Sequence, residues 1–141
     1  MLSEKHVRRA IIKYLQRKGW ARNLREKETA EHGVDIQVRH NDYPRYFLIE
    51  TKGESTAKSK ASGYETAFVY SLGQIITRMS TGASRYYYGI GLPESSAKIA
   101  LRRLPWQVAK KLLLHIFSVD KQNKVKLYSP IMIKKLQNSF N

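Results

Sequence analysis

The chain has 141 residues, no cysteine, and 26 Lys and Arg against 11 Asp and Glu, a formal charge of +15. That length supports one core without covalent staples, the lack of cysteine excludes disulfides and zinc–thiolate sites, and no apolar run approaches the about 18 residues of a membrane-spanning helix. So strong a positive balance calls for a polyanionic partner, most often nucleic acid. The opening Met1-Leu2-Ser3-Glu4-Lys5 lacks the apolar core of a signal peptide. The expectation is therefore a single-domain cytoplasmic protein, residues 1–141, that binds DNA and not a membrane.

Residues 3–18 read as a helix, with Val7, Ala10, Ile11, Tyr14 and Leu15 forming one apolar stripe, Ser3 as N-cap and Gly19 as terminator. Glu4 falls at the edge of that stripe. Trp20–Leu24 reads as a first short strand, and 25–32 as a polar loop or strand extension. Val34–Val38 is a second strand, Asn41-Asp42-Tyr43-Pro44 a turn, and Arg45–Thr51 a third strand antiparallel to the second. Residues 53–63 are small, polar and unperiodic, and read as a mobile loop. A second helix over 64–80 buries Phe68, Leu72, Ile75, Ile76 and Met79, and Arg85–Leu92 is a fourth strand stopped by Pro93. Short helices come next over 94–103 and about 105–111, then strands over 112–119 and 125–128, then a terminal helix over 130–136. Helix, three strands, helix and strand point to an α/β protein with a mixed central sheet flanked by helices.

Chemistry concentrates in two strands. Gly33-Val34-Asp35-Ile36 carries an acid, and Phe47-Leu48-Ile49-Glu50-Thr51-Lys52-Gly53 carries an acid and a lysine two apart. Side chains alternate along a strand, so Glu50 and Lys52 share a face. A strand as apolar as Phe47-Leu48-Ile49 is normally buried, and a buried carboxylate needs compensation. A divalent cation between Asp35 and Glu50, with the Lys52 ammonium beside it, supplies that compensation and suits phosphodiester hydrolysis. Mg²⁺ or Mn²⁺ is the matching ion, because both take oxygen ligands and Mg²⁺ keeps several waters. The competing reading is a strand-face Glu50–Lys52 ion pair, with Asp35 in a turn or cap.

The order of elements and the acid…acid-x-lysine pattern resemble the PD-(D/E)xK nuclease superfamily, the restriction-endonuclease-like fold. The resemblance covers about residues 3–92 as an αβββαβ core, leaving 93–141 as a C-terminal αββα extension. Val34 stands where the family has proline. The resemblance implies Asp35, Glu50 and Lys52 as catalytic residues, with the Thr51 carbonyl as a further metal ligand. It also implies site roles for Glu4 on the first helix and Gln74 on the second; Gln74 reads equally well as an exposed polar residue. By analogy the chain is expected to be a metal-dependent DNA nuclease in restriction, repair or recombination. A Holliday-junction resolvase is a variant, and such enzymes work as homodimers because two strands must be cut symmetrically.

Lys58 and Lys60 in the loop, Arg8 and Arg9 on the first helix, and Arg78 at the end of the second are candidate phosphate contacts. After Glu94 the chain has one acid, Asp120, against ten basic residues. His32 reads as a metal ligand, a general base or a solvated loop residue, while His6, His40 and His115 have no ligand-like spacing. Tyr86-Tyr87-Tyr88 can stack on bases or pack the core, and Trp106 can wedge DNA or anchor the core. Two non-catalytic alternatives remain. One is a DNA-binding module of the same fold with an idle metal site; the other is an RNA-associated basic protein. A divalent-ion requirement for cleavage separates the nuclease from both.

Overall fold

The computed structural model of the chain describes residues 2–22, 36–54, 60–79 and 85–140, with side chains described from residue 63 onward in the third of these segments. Within them the order is α1 (Glu4–Arg17), β1 (Ile36–Arg39), β2 (Tyr46–Thr51), α2 (Lys60–Arg78), β3 (Tyr86–Pro93), α3 (Glu94–Arg103), α4 (Trp106–Leu112), β4 (Leu114–Val119), β5 (Val125–Tyr128) and α5 (Pro130–Ser139). The five strands form one mixed sheet in sequence order, antiparallel at both edges and parallel along β2–β3–β4. The α/β class and the helix-flanked mixed sheet are as the sequence implies.

Each helix lies on the sheet face that its apolar stripe dictates. Val7, Ala10, Ile11 and Leu15 of α1 pack with Phe47, Ile49, Phe117 and Val119 on one face. Phe68 and Ile75 of α2, Ala97 and Ala100 of α3, Ala109 of α4 and Ile133 of α5 cover Leu48, Ile90, Leu92 and Ile116 on the other. Both parallel crossovers, β2–α2–β3 and β3–α3–α4–β4, use that second face. α1 approaches β3 closely because Gly91 has no side chain: a Cβ there would run into Ile11 Cδ1 and lie 3.1 Å from Thr51 Cγ2.

Four expectations are corrected. Trp20 makes an isolated antiparallel bridge with His40 rather than opening a strand, since Ala21 turns the chain at φ 58°; residues 23 and 24 lie outside the described residues. α2 starts at Lys60, so residues 60–63 belong to a helix and not to a loop. Ile76 is exposed, at 46%, instead of joining the buried stripe. β4 starts at Leu114, because Leu113 adopts a left-handed conformation (φ 53°) that caps α4.

Candidate active site

Glu50 lies near the end of β2, pairs with Ile90 of β3, and is only 2% exposed. Leu48 is two residues earlier on β2 and packs in the α2-side core, so by alternation Glu50 and Lys52 face α2 as well. Arg78 Nε of α2 lies 3.5 Å from Glu50 Oε1. The Lys52 ammonium sits 4.7 Å from the centre of the Tyr70 ring. Tyr70, Gln74 and Arg78 are spaced four apart on α2 and so form one ridge. Gln74 therefore occupies the turn between the helix contacts of Lys52 and Glu50. Its Oε1 is buried and has no hydrogen-bond partner among the described residues.

Beyond Lys52 the chain turns under the start of α1. Lys52 N still donates to Gly91 O at 3.0 Å, and Glu54 N donates to Leu2 O at 2.7 Å. Between them, Gly53 lies against the α1 entry: a Cβ there would stand 2.6 Å from Ser3 C and closer still to Glu4 N. Only glycine permits this approach, which brings Glu4, the first residue of α1, to the end of β2. Ser3 caps that helix, its Oγ accepting from His6 N at 3.1 Å. The partly positive α1 N-terminus thus also lies at this end of β2.

Of the residues expected at the site, Glu50, Thr51, Lys52, Glu4 and Gln74 are gathered around the end of β2. Asp35 and Lys58 lie outside the described residues; the adjoining Ile36 pairs with Ile49, next to Glu50. Lys60 opens α2. Arg9 is exposed on α1, whereas Arg8 is half-buried, with its Nε enclosed and lacking a hydrogen-bond partner among the described residues. Arg78, expected among phosphate contacts, is placed on Glu50. Tyr70 is a site neighbour that sequence reasoning passed over; its spacing of four from Gln74 and eight from Arg78 was the available signal.

Among the described residues no three His, Asp or Glu side chains cluster as metal ligands. The oxygen donors that the described residues offer around the end of β2 are the Glu50 and Glu4 carboxylates, the Thr51 carbonyl and the Gln74 amide oxygen. All are hard oxygens of the kind Mg²⁺ and Mn²⁺ take, and the buried Gln74 oxygen fits such a role.

A second basic feature adjoins the site. Lys5, Arg9, Lys13 and Arg17 are all exposed and recur every fourth residue along α1, which places them about 6 Å apart in a row leading away from Glu4. No helix among the described residues is long and apolar enough to cross a membrane.

No protein-family model matches the sequence, and no curated protein does. Two solved structures are similar to it. One is an XisH family protein from Nostoc punctiforme, with 17% identity and a TM-score of 0.48, over 86% of this chain and 96% of that one. The other is an fdxN element excision controlling factor protein from Anabaena variabilis, with 19% identity and a TM-score of 0.45, over 86% of this chain and 95% of that one.

Proposed function

We propose that the chain is a metal-dependent nuclease that hydrolyses DNA phosphodiester bonds at the end of β2. The observation that carries this reading is a buried carboxylate and a lysine on one face of an internal strand, Glu50 and Lys52, opposite the Tyr70–Gln74–Arg78 ridge. Glu50 and the Thr51 carbonyl, with Asp35 as the sequence implies, would hold Mg²⁺ or Mn²⁺. When bound, that ion neutralises phosphate charge and lowers the pKa of a coordinated water. The chain's own groups do the rest. Lys52 places a compact positive charge beside the scissile phosphate, and the Tyr70 ring restrains its flexible stem. Gln74 Oε1 accepts a hydrogen bond from a water and so orients it. The row from Lys5 to Arg17 binds the DNA backbone without reading its sequence.

The test is cleavage of supercoiled plasmid, linear duplex, single strand, flap and four-way junction in Mg²⁺, Mn²⁺ or EDTA, with Lys52→Ala alongside. Metal-dependent cutting by the wild type that disappears in Lys52→Ala is the expected result, and the preferred substrate separates restriction, repair and resolvase roles. Equal cutting by both proteins would remove Lys52 from the mechanism.

One observation favours a second reading, a DNA-binding module without catalysis. Arg78 already places a cation 3.5 Å from Glu50, so the buried carboxylate has charge compensation with no metal at all. On that reading the wild type binds DNA with salt-dependent affinity and cuts none of the five substrates.

A further inference from the structure

A separate cavity of about 610 Å³ opens where α4 and α5 meet the starts of β3 and β4. Its size falls within the about 300–1,000 Å³ typical of small-ligand sites. It does not belong to the Glu50 site. Glu50 pairs with Ile90 and Ile90 with Ile116, so the pocket residue His115 lies two strands from Glu50. By alternation it also projects from the opposite face of the sheet.

The walls are apolar and aromatic, with Trp106, Tyr87, Leu113 and Ile131 among them, and the rim carries Lys110, Lys134 and Lys135. Among the described residues that line it there is no carboxylate. Trp106 is held firmly. Its N donates to Gln137 Oε1 at 3.1 Å, and the Gln137 amide nitrogen donates in turn to the carbonyls of Leu101 and Leu104. The Lys134 ammonium stands 4.5 Å from the centre of the indole ring. Leu113 adopts a left-handed conformation that bulky residues avoid (φ 53°), and it leaves its side chain 38% exposed at the cavity.

His115 gives the pocket a directional group. Its Nδ1 lies 3.1 Å from Leu113 O and 3.3 Å from Tyr88 O. Carbonyl oxygens only accept, so Nδ1 carries the ring proton and Nε2 is left as an acceptor. The cavity therefore joins flat apolar walls, an imidazole acceptor beside the Ser129 and Asn138 side chains, and three ammonium groups, which match a planar base with N–H donors linked to a phosphate.

We infer that this pocket receives one unstacked nucleotide of single-stranded DNA: the base displaces the Lys134 ammonium from the Trp106 ring and lies against that ring and Leu113 with an N–H toward His115 Nε2, and the phosphates meet Lys110, Lys135 and the displaced Lys134. Base–aromatic stacking supplies affinity without sequence preference. The lysines select a polyanion over a neutral aromatic compound.

The test uses the full chain carrying Trp20→Phe, which leaves Trp106 as the sole tryptophan, since the sequence has two. A short oligothymidylate is titrated in EDTA, which keeps the result independent of any cleavage, at about 0.15 M salt to suppress weak surface attraction. Saturable quenching of Trp106 is expected. Lys110→Ala and Lys135→Ala should each weaken it about tenfold, the loss of one charge-assisted contact. Lys121→Ala in the β4–β5 turn, which removes the same charge elsewhere, should change it less than about twofold. Circular dichroism verifies that each variant is folded. Binding seen by anisotropy without any change at Trp106 would overturn the inference, as would equal losses in all three lysine variants. If thymidine monophosphate quenches as well as the oligonucleotide, the site takes a free nucleotide and the single-strand assignment is wrong.

Discussion

Arg78→Ala removes the cation that stands 3.5 Å from a carboxylate with 3% side-chain exposure. At that separation two unit charges interact by about 5 kcal/mol at an effective dielectric of ~20 and by about 1 kcal/mol in bulk water. The Arg78 side chain is 41% exposed, so the true figure lies between these limits, and about 2 kcal/mol is the working value. For a chain of this size that corresponds to a fall of roughly 6–8 °C in Tm. The measurement is a double-mutant cycle with Glu50→Gln, read by urea denaturation: Arg78→Ala should cost little once the Glu50 charge is gone. A coupling below about 0.3 kcal/mol would refute the claim that Arg78 stabilises the Glu50 charge. Divalent ions add a second discrimination. Should the end of β2 accept Mg²⁺, the ion takes over the neutralising role in Arg78→Ala and raises the variant's Tm more than the wild type's. An Mg²⁺ effect that is equal in the two proteins would leave Arg78 as a structural counter-charge and favour the non-catalytic reading.

Further outcomes concern the fold. Gly91→Ala drives a methyl into Ile11 Cδ1 and Thr51 Cγ2 and should cost about 1–3 kcal/mol by urea denaturation; Ile11→Val in the same chain should restore part of that loss, and no restoration would mean that α1 packs on β3 by other contacts. Burial holds the His115 imidazole below its ordinary 6.5, against the opposing pull of the Leu113 and Tyr88 carbonyls. The folded state thus resists protonation, so stability is complete above about pH 6.5 and falls as pH drops from there through the lowered folded value. Urea midpoints at pH 7.5 and 5.5 should show a decline that shrinks in His115→Gln, and an identical decline in that variant would assign it to other groups.

Much of the architecture is legible in the sequence because its cues are local. The 3.6-residue stripe of Val7, Ile11 and Leu15 and the Ser3 cap define α1 over Glu4–Arg17. The Asn41–Pro44 turn sets β1 antiparallel to β2, and Pro93 marks the junction of β3 and α3. The start of α2 escapes such reading, because Ser62 and Gly63 are weak helix formers and local propensity is a poor guide where tertiary burial, here of Gly63, intervenes. Leu113 escapes for a related reason: nothing in its own side chain favours a left-handed backbone, and only the junction of α4 and β4 imposes it.

The same division runs through the site. Alternation along an apolar strand is enough to place Glu50 and Lys52 on one face, because the period of a strand is a property of the backbone. Their partners come from α2, and which helix ridge meets that face depends on how a 19-residue helix settles on the sheet, a non-local matter of packing. Arg78, read from sequence as one more surface cation, thereby becomes the counter-charge of Glu50. Gly53 acquires its importance only because the entry to α1 passes against it. The sequence by itself determined the charge, and also most of the elements and the acid-x-lysine strand, whose cues lie within a few consecutive residues. Tertiary structure alone decided which side chains meet across β2 and α2 and that Lys134 and Lys135 of α5 reach the pocket of Trp106, since those contacts join segments far apart in the chain.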